Sequence, residues 1–160
     1  MSDNLSALEL RTWEALHTVT EQLKREVGRD LWADAELSDT EFTVLAHLRL
    51  SPEGVRPGAC AQAIGWDSSR LSHQLRRLEK RDLVRRLPDP DDGRAAVVVL
   101  TDTGQTVYRR AIGPHLRSAQ KWFAAALTPD QLEGLAGALS ALQTHSQTHS
   151  ATTPTTEDPS

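Results

Sequence analysis

Residues 68–104 read SSRLSHQLRRLEKRDLVRRLPDPDDGRAAVVVLTDTG. Leu71, Leu75 and Leu78 recur at intervals of four and three, which places them on one face of a helix running from Ser68 or Ser69 to about Arg81. Past Asp82 the helical period stops. Two β-prone runs then flank a Pro-Asp-Gly-rich segment, the pattern of an antiparallel hairpin whose loop is longer than two residues. Ser69, His73, Arg76, Arg77 and Lys80 fall opposite the leucines, with Arg70 and Ser72 at the margins of that outward face. From Arg70 to Arg86 there are seven Lys or Arg against two acids, a local charge of +5 in a chain whose net charge is −4. An acidic protein thus gathers its positive charge on one helix face and the strand after it.

Outward from this stretch, the N-terminal segment repeats Leu5, Leu8, Leu16, Val19, Leu23, Val27 and Leu31 at helical spacing, predicting a long first helix from Leu5 to about Leu31. Ser38 and Glu41 have capping-box spacing, and Phe42, Leu45, Ala46 and Leu48 continue a second helix. SPEGVRPG at 51–58 breaks it, and ACAQAIGWD forms a short third helix ending near Gly65, with Asp67 or Ser68 capping the next. Thr101 caps a fifth helix reaching about Leu127, in which Gly113 and Pro114 are expected to bend the axis or mark a weak turn. Thr128, Pro129 and Gln131 open a sixth. From Thr144 to Ser160 apolar periodicity is missing, so a disordered tail is expected. The predicted fold class is mainly α with a small β-hairpin wing: a helix-turn-helix followed by a wing, with further helices outside that motif.

A chain of 160 residues, 38% hydrophobic and 25% charged, can bury one core. No stretch approaches eighteen consecutive apolar residues, and the amphipathic start lacks the pattern of an export signal; no membrane partner is expected. Cys60 is the one cysteine, which excludes an intramolecular disulfide and fits a reducing compartment, so a cytoplasmic location is expected. No phosphate-binding glycine loop, Ser-His-Asp or Cys-His motif stands in the sequence, and His145 and His149 lack a third ligand. The expectation is therefore a protein that is not an enzyme, with no metal and no cofactor. A helix that starts with serines and continues with arginines suits a duplex groove: serine lets the backbone approach, while Arg and His reach base edges or phosphates. The rival readings are a solvated basic face and a winged-helix scaffold that binds protein; steep loss of duplex affinity with salt separates them from a DNA reader.

LSDTEFTVLAHL, IGWDSSRLSHQLRRLEKRDLVRR, DPDDGRAAVVVLTDTG and GPHLRSAQKWFAAALTPDQLEGL together resemble the MarR family of winged helix-turn-helix regulators, over about Leu5 to Leu142. The resemblance implies a transcriptional regulator, more often a repressor, that reads a pseudo-palindromic double-stranded DNA operator as a homodimer. One MarR-type domain would span 1–143, with the DNA-binding lobe at about 36–100, dimerisation helices at about 4–32 and 101–143, and a tail at 144–160. It also implies that Ser68, Ser69, Arg70, Ser72, His73 and Arg77 face the major groove or its phosphates, that Arg94 enters the minor groove, and that Asp92 orients the wing; Arg76, Lys80 and Arg86 complete the candidate DNA-binding set. A cleft for a small aromatic or phenolic effector is expected between the dimer layer and the DNA lobe, with Trp13, His17 and His47 as candidates and His115 at the dimer side. The chain departs from the family pattern in two places: Asp82 stands where glycine is usual, and Cys60 where an apolar core residue is usual.

Overall fold

The computed structural model describes residues 4–150. These fall into two compact units divided after Trp122. The first unit holds α1 (Ala7–Ala35), α2 (Asp39–Leu48), α3 (Pro57–Ala63), α4 (Ser68–Lys80), β1 (Val84–Pro88), β2 (Ala96–Leu100) and α5 (Asp102–Trp122). The second holds a single 3-10 turn (Ala124–Ala126) and α6 (Pro129–Ser150).

Helix starts follow their caps. Ser38 Oγ accepts the backbone N–H of Glu41 while Glu41 Oε2 accepts that of Ser38 at 3.0 Å, and the same reciprocal box joins Ser6 to Glu9 and Thr128 to Gln131. Asp67 Oδ1 accepts the N–H of Arg70 at 2.7 Å and opens α4. Three elements differ from the sequence expectation. α1 runs on to Ala35 and stops at Glu36, whose φ of 52° is left-handed. α5 passes through Pro114 without a break and ends at Trp122; proline removes only the bond to the Arg110 carbonyl, and α5 packs against α1, where Asp30 accepts from Ser118 and Trp122 beyond the gap. α6 continues through 144–150, where a tail was expected: the hydroxyls of Thr144 and Thr148 bond carbonyls one turn back, and the His145 and His149 rings lie 4.0 Å apart. The rest of the expected tail, 151–160, lies outside the described residues.

Leu71, Leu75 and Leu78 of α4 form one cluster with Phe42, Leu45, Leu48, Cys60, Ala61, Leu83, Val84 and Val98, and Ile64 packs against it half-buried. Cys60 is part of that core, and burial pushes its thiol pKa up, so it serves as a small hydrophobe. β1 and β2 pair antiparallel from Val84 opposite Leu100 to Pro88 opposite Ala96. Val55 adds an isolated antiparallel bridge to β2 by exchanging both backbone bonds with Val98.

Between α4 and β1 the chain turns at Asp82, where φ is 55°. Aspartate holds this left-handed position with help from outside: the Thr101 hydroxyl donates to the Asp82 carbonyl and the Thr103 hydroxyl to its carboxylate at 3.2 Å. Gly104 fits the same junction because a Cβ there would lie 1.9 Å from the Leu83 carbonyl oxygen. The glycine of LTDTG is thus a requirement of close backbone approach, not of turn conformation.

Candidate nucleic-acid interface

α4 presents two chemically opposite faces. Leu71, Gln74, Leu75 and Leu78 are buried, whereas Ser68, Ser69, Arg70, His73, Arg76, Arg77 and Lys80 are exposed and Ser72 is half-buried. The helix N-terminus, with its unsatisfied N–H groups and two serines, leads this face.

The cations of the stretch divide by what holds them. Arg77, Lys80 and Arg85 are exposed, and among the described residues no protein group bonds their charged ends. Arg76 Nε reaches only its own helix, at the Ser72 carbonyl, 3.3 Å away. The Arg70 guanidinium carbon sits over the Trp66 ring, 4.1 Å from its centroid, a cation–π contact at the helix start. Arg86 is exposed, but its Nε donates to Glu79 Oε1 at 2.8 Å. Arg81 turns inward to the buried Glu41. The charge count of the sequence therefore overstates the outward charge, because it cannot distinguish inward bonds from solvent.

The hairpin loop 89–95 projects Arg94. Its backbone is shaped by aspartates: Asp92 Oδ1 accepts the N–H of Arg94 at 3.1 Å, and Asp89 Oδ1 accepts that of Asp91 at 2.9 Å. Asp89 is 6% exposed and its carboxylate also accepts from Arg56, the residue preceding α3. The Arg56 guanidinium, with the Asp91 N–H, holds the Asp89 carboxyl below its ordinary pKa. The wing loop is thereby tied to the start of the helix-turn-helix. Arg94 is exposed at its tip.

The residues singled out for an effector do not converge. Trp13 and His17 meet edge to face, with centroids 4.3 Å apart, on the exposed half of α1. His115 stacks on Phe42 at 4.2 Å, its Nδ1 buried and without a hydrogen-bond partner among the described residues; burial lowers its pKa. His47 is half-buried on α2. A cavity of about 310 Å³ lies elsewhere, lined by Leu48, Arg49, Pro52, Leu100, Gln105, Tyr108 and Arg109, with Arg49 5.5 Å over the Tyr108 ring.

Comparison with known proteins gives a consistent picture. The MarR family profile matches residues 37–96. The HTH-type transcriptional regulator PecS of Dickeya dadantii (strain 3937) is 33% identical over 85 residues, 52% of this chain and 51% of that protein, so the match spans about half of the relative's length. AbsC, a MarR family transcriptional regulator from Streptomyces coelicolor, superposes with a TM-score of 0.82 at 28% identity, covering 91% of this chain and 99% of that one. Sco3205, a MarR family transcriptional regulator from the same organism solved in complex with DNA, superposes with a TM-score of 0.81 at 30% identity, covering 88% of this chain and 92% of that one.

Proposed function

The chain belongs to the MarR family, and on that premise we propose that it is a sequence-specific regulator of transcription that reads double-stranded DNA as a homodimer, acting as a repressor in the cytoplasm. The observation that carries the reading is the outward face of α4, where Arg77 and Lys80 stand free beside Ser68, Ser69 and His73 while the leucines of the same helix are buried. Such a helix enters the major groove with its first turn against base edges and its cations against phosphates. Arg94 at the wing tip serves the neighbouring minor groove, whose narrowness concentrates negative potential.

The dimer supplies cover for α1. Leu8, Leu16 and Val19 are 39% exposed or more and form an apolar stripe, flanked by Trp13, that a second copy would bury. The cavity at Arg49 and Arg109 suits a small aromatic anion, since two guanidinium groups and the Gln105 amide can meet a carboxylate or phenolate above the Tyr108 ring. Effector and duplex would then weaken each other's binding by the same factor.

Selection from a random-sequence duplex library tests the function. The expected product is two inverted half-sites about one helical turn apart. Recovery of unrelated sequences, bound equally well, would reject it.

A further inference from the structure

Arg81 closes α4, and its guanidinium reaches back to the elbow between α1 and α2. Nη1 donates to Glu41 Oε1 at 2.9 Å and Nη2 to the carbonyl of Glu36 at 3.0 Å. Glu36 is the left-handed residue that ends α1, and Glu41 is the capping residue of α2. The other oxygen of Glu41 accepts both the N–H and the hydroxyl of Ser38 at 3.0 Å, so one carboxylate, 1% exposed, holds the start of α2 and the end of α4 together. Burial opposes the Glu41 charge, and the Ser38 N–H and Arg81 more than offset it, leaving the carboxyl pKa below its ordinary value. A second strut stands two turns earlier on α4: Gln74 Nε2, on a side chain 6% exposed, donates to Thr40 Oγ1 at 2.8 Å.

These bonds constrain what leucine contacts leave loose. Apolar packing holds α4 at a distance from α2 but tolerates small slides and rotations; two N–H groups in the rigid plane of a guanidinium, addressed to two different elements, do not. The Arg81 side chain is 38% exposed, but both of its terminal nitrogens are bonded to the α1–α2 elbow. We propose that Arg81, assisted by Gln74, is a positioning residue for DNA reading: it fixes the angle at which the recognition helix leaves the α1–α2 elbow, and so the spacing of the two recognition helices in the dimer. The inference rests on the proposed reading of the chain as a dimeric duplex binder.

The test compares wild type, R81M, R81K and the double variant E41Q/R81M on the duplex that wild type selects, and on versions with the half-sites moved by one or two base pairs. R81M is expected to lose about tenfold or more in affinity for the selected spacing and most of its preference over the shifted ones. Its slope of log affinity on log salt stays at the wild-type value, because no phosphate contact is lost. E41Q/R81M, which leaves no buried carboxylate stranded, regains thermal stability but not the spacing preference, and R81K regains part of both. Wild-type spacing preference in R81M or in E41Q/R81M would reduce Arg81 to a stabilising role, and a slope lower by about one would make it a phosphate contact; each overturns the proposal. A DNA-free arm places nitroxides at Gln22→Cys and Lys80→Cys in a Cys60→Ala background. A narrow distance distribution that broadens in E41Q/R81M is expected, and an unchanged one contradicts the proposal. If wild type selects no duplex at all, the functional reading fails, while the nitroxide pair still decides whether Arg81 sets the helix angle.

Discussion

α4 and the first half of α1 each carry an apolar stripe at helical period, yet Leu71, Leu75 and Leu78 are at most 1% exposed while Leu8, Leu16 and Val19 stay 39% exposed or more. The difference lies in what surrounds each stripe. α4 is met within its own lobe by α2, α3 and β1, which close a core. α1 buries Leu31 at its C-terminal end and leaves its N-terminal turns as an unfinished surface. Helical period identifies a face; only the remaining topology says whether this chain covers it. The stripe in α4 builds a lobe, and the stripe in α1 is the surface that the proposed dimer would cover.

Leu75→Ala and Leu8→Ala separate the two stripes most widely. The first should cost about 3 kcal/mol of folding stability, as a leucine cavity in a packed core does, and the second less than about 0.5 kcal/mol in a monomer, both read from denaturant unfolding at low protein concentration. Equal losses would mean that the α1 stripe is already buried in the isolated chain. Next comes Trp13→Ala, expected to weaken self-association by about 2 kcal/mol, measured by sedentation-equilibrium dissociation constants, with the lobe's own unfolding unchanged.

Acid gives a smaller contrast within the lobe. Glu41 and Asp89 both have folded pKa values below their ordinary ones, so the stability they contribute is full above the unfolded carboxylate range near about 4 and is lost as pH falls through the lowered folded values. Glu41→Gln should lower stability at neutral pH by about 1 kcal/mol and flatten the acid limb of a melting-temperature profile. An unchanged acid limb would show that the Glu41 charge is not linked to folding. Smallest is Asp82→Gly: relief of the left-handed backbone and loss of the Thr103 bond nearly cancel, for a net change under about 1 kcal/mol in thermal unfolding.

Local signals carried most of the fold. The capping boxes at Ser38 and Thr128, the α4 leucine period and the strand runs around the Pro-Asp-Gly loop each span a few residues, and each forms where the sequence placed it; of the two candidate caps of α4, Asp67 and Ser68, Asp67 is the one used. At Asp82 the signal came from the family resemblance, in which glycine is usual at this position, and the residue there is left-handed. What stayed hidden was long-range pairing. Arg81 and Arg77 look alike in sequence, and only a bond to Glu41, 40 residues away, makes one structural and leaves the other outward. Arg56 and Asp89, 33 residues apart, are the same case in the wing. The length of α6 was missed for the opposite reason: its last turns lack any apolar period, and bonds from threonine hydroxyls to the preceding turn carry no pattern that marks a helix.

The most direct test of the account is the salt dependence of duplex affinity for wild type beside Arg77→Ala/Arg94→Ala and Arg81→Met. The slope of log affinity on log salt should fall by about two in the first variant, one for each outward cation removed, and keep its wild-type value in the second. Equal slopes for wild type and the Arg77/Arg94 variant would contradict the claim that the outward cations of α4 and the wing are what this protein offers to DNA.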